Sequence, residues 1–138
     1  MRLKNYTDIP DETIRNLIRA VRPSGISNFD VRVTNGKRFT GKAYTRGAGC
    51  HETANAFIIC RIPQKKHLVY GARGAYLPMA LGSRIEMLII LLAHELRHLW
   101  QAKHTKGKVW GSRGRFSERD ADAYALQMLR RFRRGELV

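Results

Sequence analysis

The stretch His94-Glu95-Leu96-Arg97-His98 restricts this chain more than any other, because it sets polar chemistry into an apolar helix. Upstream runs Met87-Leu88-Ile89-Ile90-Leu91-Leu92-Ala93, and the helical run as a whole extends from Ser83 to about His104. A helix that is apolar all round is a buried one. The His, Glu, Arg and His that follow therefore need partners, since unpaired buried polar groups are costly. Residues four apart lie on one face of a helix, about 40° apart around its axis, so His94 and His98 can bind one metal ion together. Two imidazole nitrogens suit Zn²⁺. Glu95 points to one side of that ion, where a carboxylate takes a proton from a water that the ion holds. This is the HExxH pattern, and a catalytic zinc asks in addition for a third protein ligand and an open position.

A chain of 138 residues with 43% hydrophobic content forms one domain, residues 1–138, with a core of its own. Met1 to Pro10 lacks the apolar stretch of a secretory signal, and Met87–Ala93 is too short to span a bilayer. The expectation is a soluble, cytoplasmic protein with no membrane partner. Cys50 and Cys60 give no disulfide framework and no CxxC pair. They read as reduced thiols, or as a disulfide if neighbouring strands bring them face to face. The net charge of +15, from 26 Lys and Arg against 11 Asp and Glu, favours a polyanionic partner, nucleic acid first and an acidic protein second. A solvated basic surface is the plain alternative, and no motif that reads bases accompanies the charge.

In chain order, Asp8 to about Arg22 reads as a helix with Asp8 or Asp11 as its cap. Ile14, Leu17, Ile18 and Val21 form its apolar stripe. Phe29–Val33 alternates as a strand. Asn35-Gly36 signals a tight hairpin, with Arg38–Arg46 returning. Ala56–Ile62 is a third strand and His67–Tyr70 a short fourth. Gly71–Gly82 reads as a loop, Lys103–Arg115 as an exposed basic loop, and Ser117 as the cap of a last helix reaching Arg133 or Arg134. The fold class is α+β: an N-terminal helix, a small antiparallel or mixed sheet, the HExxH helix and a C-terminal helix that carries Glu118.

Two residues compete as third ligand. His104 follows His98 by six, an offset that resembles the extended motif of metzincins, where a glycine lets the chain turn back. Here Gln101 holds the glycine position. If the helix continues, His104 lies about 240° around from His98. The other candidate is Glu118, in Glu118-Arg119-Asp120-Ala121-Asp122. Glu118, Ala121, Asp122, Ala125 and Leu129 form one stripe, and two carboxylates on so apolar a stripe need a counter-charge. A metal ion and its histidines supply it. The alanines allow close approach, so that Glu118 completes the metal sphere and Asp122 accepts a hydrogen bond from a ligand histidine.

This constellation resembles the gluzincin zinc metallopeptidases, in which an HExxH helix is followed by a helix with an ExxAD-like motif. The small size is similar to that of minigluzincins. Only about ten residues carry the likeness as motif. It implies a zincin-like fold and hydrolysis of peptide bonds in a protein or peptide substrate. In that reading His94, His98 and Glu118 hold Zn²⁺ and Glu95 is the general base. Spacing alone implies no more than a bound water with a base beside it. Ala56–Ile62 is expected as an edge strand that holds an extended substrate. Tyr76, Tyr124, His104 and Arg115 all stand as candidates for stabilising the oxyanion. The competing class is a basic nucleic-acid-binding module with a structural, non-catalytic zinc. Glu95 discriminates, since a structural site has no use for an acid beside an open metal position.

Overall fold

The most apolar strand of the sequence takes the centre of the sheet, and the sheet order follows from that. The computed structural model describes residues 1–44, 56–71, 78–104 and 115–137. Their elements run β1 (Leu3–Asn5), α1 (Asp11–Val21), β2 (Phe29–Asn35), β3 (Thr40–Tyr44), β4 (Ala56–Ile62), β5 (Leu68–Tyr70), β6 (Met79–Leu81), α2 (Arg84–His104) and α3 (Arg115–Arg133). The fold is α+β with a mixed sheet. Four strands stand in the order β1-β2-β4-β3, while β5 and β6 form a separate antiparallel pair.

β2 pairs in parallel with both β1 and β4, and β3 runs antiparallel to β4. Asn35-Gly36 is therefore not a hairpin turn: β2 and β3 are neighbours in sequence but β4 lies between them. Gly36 N–H donates instead to Ile62 O at 3.0 Å, extending the parallel ladder by one step. Burial decides the order. β4 hides Ile58, Cys60 and Ile62 on the core face and Ile59 on the other. Near-continuous apolar strands belong inside a sheet, whereas Thr40-Gly41-Lys42 suits a rim. Ala56–Ile62 is thus an inner strand, and β3 is the edge.

Phe29, Val31 and Val33 join Ile58, Cys60 and Ile62 in one core with the stripe of α1 and the apolar run of α2. Every residue of α2 from Met87 to Leu96 is buried. Neither Asp8 nor Asp11 caps α1, whose N-cap Pro10 offers no side-chain bond. Asp8 pairs with Arg84 at 2.7 Å, and Asp11 accepts from Asn5. α3 begins at Arg115, so Ser117 lies inside the helix rather than capping it. β1 and β6 fall in stretches whose sequence shows no strand pattern; β6 occupies part of the expected Gly71–Gly82 loop. Cys50, Tyr76 and most of the Lys103–Arg115 loop lie outside the described residues, so the suggested Cys50–Cys60 disulfide lies outside them too. Among the described residues, no helix is long and apolar enough to cross a membrane.

α2 and α3 pack antiparallel through Ala121 and Ala125, both fully buried. Arg97 and Asp120 pair near the start of α3, and Arg133 and Glu86 pair near its end. Leu92 lies in the apolar centre that this arrangement closes, with no exposed surface. Leu92→Ala is expected to cost about 2–5 kcal/mol. Val69→Ala, at an exposed position of β5, is expected to stay within about 0.5 kcal/mol. Denaturant unfolding of the two variants checks the pair.

Candidate metal centre

Three ligand atoms converge where α2 meets α3. His94 Nε2 lies 3.0 Å from His98 Nε2. Glu118 reaches both, with Oε2 at 3.2 Å from His94 Nε2 and Oε1 at 2.9 Å from His98 Nε2. A tetrahedral ion with bonds of about 2.0–2.2 Å has ligand–ligand edges of roughly 3.3–3.5 Å. The observed triangle needs to open by only a few tenths of an ångström to match. Among the described residues, this is the one group of three or more candidate ligands close enough to share an ion.

Proton bookkeeping sharpens the point. Arg97 forks onto Asp120, with Nε to Oδ2 at 2.7 Å and Nη2 to Oδ1 at 3.1 Å. The paired Asp120 accepts the Gln101 amide N–H at 2.8 Å. That turns Gln101 Oε1 toward His98 Nδ1, 2.8 Å away, so Nδ1 must donate. On the other side Asp122 Oδ1 lies 2.9 Å from His94 Nδ1 and also accepts the Tyr70 hydroxyl at 3.0 Å. Both histidines thus spend their Nδ1 protons on fixed acceptors. Both Nε2 lone pairs then aim at the point where a carboxylate also aims, an arrangement that calls for a cation. Acceptors of this kind are what orient metal-bound histidines.

The electrostatics agree. Burial opposes charge on His94, but hydrogen bonds to Asp122 and Glu118 outweigh it and lift the imidazole to about 10. Burial likewise opposes charge on His98, and Glu118 again prevails and raises it. The same bonds from His94 and His98 hold the Glu118 carboxyl far below its usual range. All three shifts favour positive charge on the imidazoles against an ionised carboxylate, which is compatible with a shared cation. A bound metal supplies that charge in place of a proton.

Glu95 stands beside the triangle, its Oε1 3.9 Å from His94 Nε2, and is only 5% exposed. Burial pushes its pKa up, against the pull of His94 and His98. The edge strand closes over it at Gly41. A Cβ added there would lie 3.0 Å from Glu95 Cγ and 3.2 Å from Oε1, closer than ordinary contact allows. With any side chain at Gly41, Glu95 or β3 would have to shift by a few tenths of an ångström. The result is a cleft of about 430 Å³ with β3 and Tyr70 along it and His94, Glu95, His98 and Glu118 in its wall.

The four residues expected at a metal site and Asp122 are together. His104 is not: it is exposed at the end of α2, bonded to Trp100 O at 2.9 Å and stacked on the Trp100 ring. Tyr124 is also elsewhere, its hydroxyl donating to Val21 O. Tyr76 lies outside the described residues. Sequence reasoning missed Gln101, Asp120, Tyr70 and Gly41. Gln101 sits one helical turn from His98, so its role had a local signal. Tyr70 meets Asp122 across 52 residues, and no spacing rule announces such a contact.

No protein-family model, curated protein or solved structure matches this chain. Metal uptake therefore rests on the geometry. Glu118→Ala is expected to strip the bound metal, whereas His104→Ala leaves it in place. Asp122→Ala is expected to weaken binding by about 10–100-fold, because His94 loses its acceptor. Competition with a chromogenic chelator measures all three. Loss in His104→Ala with retention in Glu118→Ala would reverse the ligand assignment.

Proposed function

We propose that this chain is a zinc-dependent peptidase of gluzincin type with a zincin-like fold. His94, His98 and Glu118 would hold the ion, and Glu95 would be the general base. The observation that carries this reading is the placement of a buried carboxylate beside three converging ligand atoms, in the wall of a cleft that β3 also lines. The donor set of two imidazoles and one carboxylate fits zinc and leaves room for a fourth position. Zinc bound there would act as a Lewis acid toward a carbonyl and acidify a water.

The chain's own groups supply the rest. Asp122 and Gln101 hold the imidazoles in the tautomer that presents Nε2. Glu95 takes the proton from the attacking water and passes it to the departing amine nitrogen. Its burial favours the protonated form, so it holds a proton in transit more readily than a solvated carboxylate. β3 is bonded to β4 along one side and, among the described residues, is the last strand of its sheet. An extended peptide can add to its other side by main-chain hydrogen bonds. The role expected of Ala56–Ile62 therefore passes to Thr40–Tyr44, which also lines the cleft at Thr40, Gly41, Lys42 and Ala43. A structural zinc in a nucleic-acid-binding module gives no reason for a buried Glu95 or for the glycine that accommodates it.

Glu95→Gln keeps nearly the same shape and cannot accept the proton. It is expected to retain fold and zinc and to lose at least 10²–10⁴ in rate, roughly the contribution of one positioned base. A casein digest with zinc-loaded protein is the assay, and unimpaired cleavage by Glu95→Gln would refute the mechanism. Gly41→Ala is expected to lower the rate while sparing zinc binding, since the added methyl displaces either β3 or Glu95 and touches no ligand.

A further inference from the structure

The zinc cleft leaves the excess positive charge unused, and a second cleft gives part of it a definite place. This one, of about 480 Å³, lies between α1 and the start of β2. Arg15, Arg19 and Arg22 line one side and Ser27 and Asn28 the other, above an apolar floor of Ile18 and Phe29. Among the described residues, no carboxylate lines it. Arg15 and Arg19 lie four apart on one face of α1, and Arg22 directly follows its last residue. Neither Arg15 nor Arg22 pairs with an acid among the described residues, and Arg19 bonds only the Arg15 carbonyl and the Asn16 amide oxygen. Just beyond Arg22, the Lys103 ammonium is fixed on Gly25 O at 2.6 Å, which carries the positive edge further. Like charges four apart on a helix repel. A low-dielectric floor focuses their field into the cleft.

We infer that this cleft binds the phosphodiester backbone of nucleic acid. Three features favour that occupant. Guanidinium forks match phosphate oxygens in pairs. From Arg15 to Val21, the residue before Arg22, the helix rises about 9 Å, the length over which one duplex strand carries about three phosphates. The Ser27 hydroxyl and Asn28 amide are neutral donors of the kind that position a backbone without reading bases. The two clefts share no lining residue. Binding here thus stands or falls independently of hydrolysis, and it would bring nucleic-acid-bound proteins within reach of the proposed peptidase.

The test is binding of a labelled DNA duplex of mixed sequence across a salt series. A variant carrying Arg15→Gln, Arg19→Gln and Arg22→Gln is expected to bind more weakly and to lose nearly 3 from the slope of log K against log salt, about 0.9 for each phosphate contact. An equal charge change at exposed sites elsewhere, Lys37→Gln, Lys65→Gln and Lys66→Gln, is expected to leave most of the slope intact. A double charge reversal, Arg19→Glu with Arg22→Glu, changes only exposed side chains, is likewise expected to weaken binding, and covers the case in which the triple variant does not fold. Equal losses in the two triple variants would overturn the inference in favour of diffuse charge, and absence of binding at low salt would remove it. Vesicles of phosphatidylserine and phosphatidylcholine that bind more tightly than DNA, and that the arginine substitutions release, would reassign the cleft to anionic lipid.

Discussion

The register between α2 and α3 is the constraint on which the candidate centre depends. His94 and His98 sit on one helix and Glu118 on another, and neither helix alone can close the triangle. Arg97 with Asp120 and Arg133 with Glu86 pin the two helices at both ends. Ala121 and Ala125 set how closely they approach. The Arg97 pair does more than hold register. By fixing Asp120 it fixes Gln101, and through Gln101 the tautomer of His98. A structural ion pair thereby reaches the His98 imidazole, a candidate metal ligand, through two hydrogen bonds.

The sheet contributes the other half of the site. β4 is apolar enough to need both neighbours, which leaves the more polar β3 as the rim. Gly41 then lets the rim lie against Glu95. In the proposed reading, this close approach of Gly41 to Glu95 would set a substrate strand beside the general base. Cys60 of β4 shares this region. Its thiol is pushed well above its usual pKa by burial and by the Glu95 charge, which favours the unreactive protonated form over a nucleophile.

What was legible in the sequence was whatever helical periodicity encodes. His94 with His98, the buried run of α2, and Glu118 with Asp122 on an alanine stripe are all relations of three or four residues. They survive into the fold because helix geometry is local. Sheet order was not legible. Asn35-Gly36 has the composition of a hairpin turn, yet the competition of β4 for a central place overrode it, and that competition is settled by burial across the whole sheet. The same non-locality hid Tyr70, whose contact with Asp122 joins β5 to α3. Gly41 looked like an ordinary strand residue because its reason lies on a different element. The basic surface was visible as a number, +15, but its grouping into a cleft required the fold to bring α1 beside Ser27, Asn28 and Phe29.

The central claim is that one ion sits between His94, His98 and Glu118. Crystals of the zinc-loaded protein, measured on both sides of the zinc absorption edge, test it most directly. The account predicts a single anomalous peak about 2.0–2.2 Å from both Nε2 atoms and from a Glu118 carboxylate oxygen, with Glu95 beside it and outside the coordination sphere. A peak held by His104, a sphere that lacks Glu118, or no peak at the α2–α3 junction would contradict it.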